Sequence, residues 1–116
     1  LCGDRLTVYL KVDEDRLICD AAFEGRGCAI SMASASMMTQ IVSGKTVSQV
    51  QYLFDKFHKL CTGEIEEFPQ DEFAHDVDKL RVMSGVRQFP MRVKCATLSW
   101  HTMNAAVSGD SETSTE

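Results

Sequence analysis

Hydrophobic and polar residues alternate along residues 5–12, which place Leu6, Val8, Leu10 and Val12 on one face. This alternation predicts a β-strand with one buried face. A polar turn at 13–15 leads to a return strand over residues 16–24, with these residues facing inward: Leu17, Cys19, Ala21 and Phe23. The two strands predict a β-hairpin, and Cys19 is expected in the core as a small hydrophobic residue.

Helical periodicity begins after the glycine break at 25–27. Residues 28–42 predict a helix rich in small side chains, which let a helix lie close to its neighbour, and Gly44 is suited to end it. Thr46 and Gln49 form the spacing of a capping box at the start of a second helix. Its apolar stripe consists of Val50, Leu53, Phe54, Phe57 and Cys61. Cys61 is therefore predicted to lie in the core, and His58, off the stripe, in solvent.

Residues 62–75 are acidic, contain glycine and proline, and lack any period, which predicts an exposed insertion. A short helix is expected over 76–83, and Pro90 suits the start of a last helix. The stripe of that helix consists of Val93, Ala96, Trp100, Met103 and Val107, with Cys95 and Leu98 beside it. The predicted fold class is α+β, an antiparallel β-hairpin with helices packed on one face.

The composition of the chain argues against some classes of function. The chain has 116 residues, 44% of them hydrophobic, which is enough for one domain with a buried core. A net charge of -5 argues against a nucleic-acid partner, and no apolar run is long enough for a membrane span. Residue 1 is Leu rather than Met, so we expect sequence to precede it. Five cysteines are difficult to pair completely, which favours a reduced, intracellular setting and a metal-binding or redox use.

Three cysteines and one carboxylate carry the candidate chemistry. Cys2 and Asp4 flank Gly3, whereas Cys28 and Cys95 are predicted close to the starts of helices. A helix start stabilises a thiolate, and three thiolates with one carboxylate make a four-ligand set that suits zinc. The spacing does not match a local zinc motif, so the residues alone leave ordinary buried cysteines as an open alternative.

Four stretches of the chain resemble the U-type iron–sulfur assembly proteins, a family that comprises IscU, the NifU N-terminal domain and SufU. The stretches are Cys2-Gly3-Asp4, FEGRGCAISMASASMMT at 23–39, Gly44-Lys45, and FPMRVKCATLSW at 89–100. The resemblance covers nearly all of residues 2–107 and implies a U-type assembly domain over 1–107. The Ser/Thr/Glu-rich composition of residues 108–116 predicts a disordered tail. The resemblance also implies metal ligands at Cys2, Asp4, Cys28 and Cys95.

Two features are similar to the zinc-binding SufU branch. Lys94 stands where IscU-like members carry histidine, and residues 62–75 correspond to an insertion of SufU-like members. The chain departs from the family in lacking the usual Asn-Pro before Cys2, the N-terminal helix and the first strand. In the family that strand makes the hairpin part of a three-stranded sheet, and a hairpin alone is marginally stable. We therefore expect the full protein to be longer.

The resemblance implies a zinc-dependent sulfurtransferase that accepts persulfide sulfur from a SufS-like cysteine desulfurase, with Cys2 as the catalytic thiolate. The sulfur would pass to a downstream iron–sulfur scaffold, and the expected location is cytoplasmic. The main alternative is a scaffold that assembles and transfers a 2Fe–2S cluster. A further alternative is a binding module in which zinc is only structural.

Overall fold

A computed structural model describes residues 4–108 of the chain. In order, the elements are β1 Arg5–Val12, β2 Ile18–Arg26, α1 Ala29–Val42, α2 Val47–Thr62, α3 Ala74–Val77, a 3₁₀ helix Asp78–Gln88 and α4 Pro90–Val107. The strands pair antiparallel, and α1 and α4 pack against them. The predicted α+β class with a hairpin is confirmed. Residues 4–108 contain no third strand in this sheet.

A β-bulge corrects the prediction for Cys19. Lys11 pairs with Asp20 but Val12 pairs with Ile18, which leaves Cys19 as the extra residue of β2. An extra residue reverses the inside and outside positions beyond it. Ile18 is therefore fully buried, whereas Cys19 is exposed. Val12, at the same irregularity, is also exposed rather than inward-facing.

Helix α4 contains a fully enclosed segment. Its predicted stripe is buried or half-buried, but residues 95–100 are buried without interruption, including Thr97 and Ser99. The reason is that α4 contacts the hairpin, α1, α2 and the 3₁₀ helix. A helix surrounded on all sides does not need a polar face, so its polar residues must be small.

Helix α2 follows its prediction closely. The Thr46 hydroxyl accepts from the Gln49 amide at 3.2 Å and the Gln49 side chain accepts from the Thr46 amide at 2.9 Å, which completes the capping box. Gly63 ends the helix with a φ of 86°. Cys61 is fully buried, and this burial raises the pKa of its thiol to about 12, although the charge of Arg87 acts in the opposite direction.

Three features within α2 and after it differ from their predictions. Most of residues 62–75 are exposed as expected, but Phe68 is buried against the core. The helix expected over 76–83 is instead the short α3 followed by a longer 3₁₀ helix that runs past Gly85. His58 is half-buried, and its ring packs edge-on against Phe54 and His101.

No helix among residues 4–108 combines the length and apolar character needed to cross a membrane.

The two cysteines outside the candidate site should respond differently to replacement by serine. Cys61→Ser places a hydroxyl in the core, and we expect it to lower the free energy of unfolding by about 1–3 kcal/mol. Cys19→Ser is the matched control, because a substitution at an exposed position should change the free energy of unfolding by no more than about 0.5 kcal/mol. Urea unfolding followed by circular dichroism measures both values. Equal losses at the two positions would contradict the burial difference.

Candidate metal centre

Three of the predicted site residues meet in the fold. One donor atom each from Asp4, Cys28 and Cys95 lies within 4.8 Å of the other two. Between residues 4 and 108 this is the one group of three or more such side chains placed to hold a metal ion. Cys19 and Cys61 are not part of this group. Cys2 lies outside the described residues.

Cys28 occupies the cap position immediately before α1. Burial by itself would raise the pKa of its thiol. Hydrogen bonds from the backbone and side chain of Ser31, from the Cys95 side chain and from the Ile30 backbone outweigh burial and lower the pKa below its ordinary value. The prediction that a helix start favours the Cys28 thiolate is thus confirmed in direction, since unpaired amides of the first turn supply two of these bonds.

Asp4 precedes β1 and is 8% exposed. Its Oδ1 atom accepts a hydrogen bond from the Cys28 amide at 3.1 Å. Its Oδ2 atom accepts from the Ser31 hydroxyl and lies 3.6 Å from the Cys28 sulfur. The carboxylate therefore presents Oδ2 towards the Cys28 thiol.

Cys95 is 2% exposed and lies in the second turn of α4, farther from the helix start than predicted. Its position depends on the close packing of α1 against α4. The Ser31 hydroxyl lies 3.2 Å from the Cys95 carbonyl oxygen, and the Ser34 hydroxyl donates to the Ala96 carbonyl. Small side chains on α1 therefore let the two helices approach closely, which brings Cys95 to Cys28.

The charges of these three groups determine what the arrangement can do chemically. A buried carboxylate beside a thiolate is unfavourable unless a proton or a cation compensates the negative charge. Without a metal, the Cys28 thiol can donate to Asp4 Oδ2. With the thiols ionised, sulfur and oxygen donors of this kind suit zinc or iron. The geometry thus fits a metal centre with one further ligand from outside the described group.

Two residues of the site were missed in the sequence. Ser31 is fully buried and touches all three donor residues, although it stands in a stretch that was interpreted only as small packing residues. Gly27 is the other, because a Cβ atom there would lie 2.8 Å from Asp4 Cγ and 3.0 Å from Ser31 Cβ. The available signal was spacing, since Ser31 follows Cys28 by three residues and so shares its face of α1.

Comparison with known proteins identifies relatives of the chain. The family model of the NifU-like N-terminal domain matches residues 1–96. The chain is 41% identical over 106 residues to the zinc-dependent sulfurtransferase SufU of Bacillus subtilis, a match that covers 91% of the chain and 68% of that protein. It is 40% identical over 106 residues to the iron–sulfur cluster assembly scaffold protein IscU of Thermotoga maritima, covering 91% of the chain and 70% of the relative.

A solved structure agrees with these matches. It is the crystal structure of a putative iron–sulfur cluster assembly scaffold protein for the SUF system from Fervidobacterium islandicum. The TM-score is 0.77 at 35% identity, with 91% of this chain and 73% of that chain covered. The helices and hairpin described above therefore follow an arrangement that a relative adopts in a crystal.

Gly27→Ala should disturb the centre without unfolding the protein. The added methyl group would press on the Asp4 carboxylate and on Ser31, so we expect Co²⁺ to bind about 10–100-fold more weakly. Gly85→Ala is the control, because a Cβ atom there meets nothing within 4 Å. Titration followed by thiolate-to-cobalt absorption measures the affinity. Unchanged Co²⁺ binding by Gly27→Ala would contradict the described packing.

Proposed function

Because the chain belongs to the NifU-like N-terminal domain family, we propose that it acts in iron–sulfur cluster assembly as a zinc-dependent sulfurtransferase of the SufU type. Its sulfur donor would be a cysteine desulfurase that carries a persulfide. The observation that carries the proposal is the convergence of Asp4, Cys28 and Cys95 on one point of the fold. Similarity to a protein named as a zinc-dependent sulfurtransferase supports the choice of metal and reaction.

Lys94 supports the SufU type further. It is exposed on α4 immediately before Cys95. Where IscU-like proteins carry histidine at this position, an additional metal ligand is available beside the cysteine, whereas a protonated lysine side chain has no lone pair to offer a metal. Among residues 4–108, the group of donors placed to hold a metal consists of cysteine and aspartate side chains.

The residues proposed to hold zinc are Cys2, Asp4, Cys28 and Cys95. Three thiolates and a carboxylate satisfy the four-coordinate preference of zinc. Cys2 supplies the fourth donor in this proposal because two residues of chain span at most ~7 Å, which keeps it within reach of Asp4. When bound, zinc would keep the cysteines as thiolates at neutral pH without any redox chemistry of its own.

Cys2 is the proposed sulfur acceptor. Its thiolate would attack the terminal sulfur of the desulfurase persulfide, so that a new S–S bond forms on Cys2. The S–S bond of the donor breaks at the same time, and the desulfurase cysteine leaves as a thiolate. No external oxidant or reductant is required. Displacing Cys28 or Cys95 from a metal would disturb the start of α1 or the packed α4, and we therefore propose the third cysteine, Cys2, as the acceptor.

The second candidate function is a scaffold that assembles and transfers a 2Fe–2S cluster. The chain is almost as similar in sequence to an IscU scaffold as to SufU, with identities of 40% and 41%, and this similarity supports the scaffold as a second candidate. Thiolates and a carboxylate can also hold iron. The two functions differ in metal and in colour, because zinc proteins are colourless and iron–sulfur clusters absorb visible light.

Metal content distinguishes these functions. We expect about one zinc ion per chain in protein purified without oxygen, because four donors make one closed site. Elemental analysis with a visible absorption spectrum measures it. Cys28→Ser should lose the zinc, whereas Cys19→Ser and Cys61→Ser, outside the group of donors, should keep it. Iron and acid-labile sulfide in place of zinc would establish the scaffold instead.

The position of the transferred sulfur tests the mechanism. After incubation with a cysteine desulfurase and cysteine, mass spectrometry should find one added sulfur atom on the peptide that contains Cys2. Cys2→Ser should abolish this product while the desulfurase persulfide persists. Added sulfur on Cys28 or Cys95, with Cys2 unmodified, would refute Cys2 as acceptor and leave the zinc proposal standing.

A further inference from the structure

The Ser31 hydroxyl lies between the three donor residues of the centre. It donates to Asp4 Oδ2, it lies 3.2 Å from the Cys95 carbonyl oxygen, and it lies 3.6 Å from the Cys28 sulfur. Ser31 is fully buried. Water therefore does not replace these contacts, and the hydroxyl depends on the site residues for its hydrogen bonds.

We propose that Ser31 is the positioning residue of the metal centre, whose hydroxyl holds the Asp4 carboxylate with Oδ2 turned towards the Cys28 sulfur. This inference rests on the proposed function, because it assigns Ser31 a role towards a bound metal. It adds to that function a residue that acts through a ligand and does not bind the metal itself.

The carboxylate needs such a partner because of where Asp4 lies. Asp4 precedes β1 and belongs to no helix, unlike Cys28 and Cys95 with their neighbouring turns. A carboxylate rotates freely about its Cβ–Cγ bond unless its oxygens are held separately. The Cys28 amide holds Oδ1 and the Ser31 hydroxyl holds Oδ2, so the two bonds together fix the rotation.

Gly27 completes this arrangement from the other side. Its backbone lies so close to Asp4 and Ser31 that a methyl group would not fit. The pair is therefore enclosed between the α1 start and the Gly27 backbone. Hydrogen-bond partners that orient a ligand in this way typically change metal affinity about 10–100-fold when they are removed.

Ser34 provides a matched control on the same helix. It is also fully buried, and its hydroxyl also donates to a carbonyl of α4, that of Ala96. Its hydrogen bond does not involve Asp4 or Cys28. Replacement of Ser34 by alanine thus removes the same chemical group and the same kind of helix contact, but leaves the carboxylate held.

The experiment compares zinc affinity by chelator competition in the wild-type chain, Ser31→Ala and Ser34→Ala, with Co²⁺ absorption as a second readout. We expect Ser31→Ala to bind zinc about 10–100-fold more weakly and to shift the Co²⁺ ligand-field bands. Ser34→Ala should keep the wild-type affinity and spectrum. Circular dichroism should show both variants folded, and loss of the fold in Ser31→Ala alone would indicate a packing role and overturn the proposal.

A double-mutant cycle with Asp4→Ala tests whether Ser31 acts through the carboxylate. In the Asp4→Ala background, Ser31→Ala should cause no further loss of zinc affinity. Equal losses with and without Asp4 would overturn the proposal. If Ser31→Ala matches Ser34→Ala while Cys28→Ser loses zinc, the inference fails and the proposed metal site stands. Absence of zinc binding by the wild-type chain would overturn both.

Discussion

The close contact between α1 and α4 is the constraint on which the candidate centre depends. Cys28 caps α1 and Cys95 lies in α4, so their sulfur atoms meet only if the two helix backbones approach closely. Buried serines allow this approach, because Ser31 and Ser34 have small side chains whose hydroxyls bond directly to α4 carbonyls. A larger apolar residue at either position would separate the helices and leave those buried groups without their present partners.

The same contact explains why the centre favours ionised side chains that can bind a proton or a metal ion. Amides at the start of α1 lower the pKa of Cys28 despite its partial burial, and Asp4 places a carboxylate beside it. Two anionic groups in a poorly solvated position attract a proton or a metal ion strongly. Cys61 shows the opposite case, since burial without such donors raises the pKa of its thiol to about 12. Local hydrogen bonding thus distinguishes the Cys28 thiol, which is suited to metal ligation, from the Cys61 thiol, which is packed in the core.

The sequence predicted the elements whose signals are local. The hairpin, the capping box at Thr46 and the Pro90 helix start depend on residues within a few positions, and all three are present. Cys19 was placed wrongly because a bulge depends on what the facing strand pairs with, which alternation along one strand does not report. His58 was placed wrongly because α4 covers it with His101, a contact between distant segments.

The candidate site was predicted in part for the same reason. The resemblance supplied Asp4, Cys28 and Cys95, and the structure brings them together, but Ser31 carried no signal apart from its spacing to Cys28. Serine in a helix of small residues has the same appearance whether its hydroxyl packs against a backbone, as Ser34 does, or against a ligand. The two serines are distinguished only by the tertiary structure, in which Asp4 lies against the start of α1 and contacts Ser31.

Asp4 differs from the cysteines in a way that bears on ligand exchange. Both of its oxygens have hydrogen-bond donors from the protein, so its charge is stabilised whether or not it also contacts a metal. Cys28 and Cys95 are fixed by the backbones of α1 and α4, whereas Asp4 belongs to the segment before β1. In the proposed function, Cys28 and Cys95 therefore form the permanent part of the centre, and Cys2 is the ligand proposed to exchange.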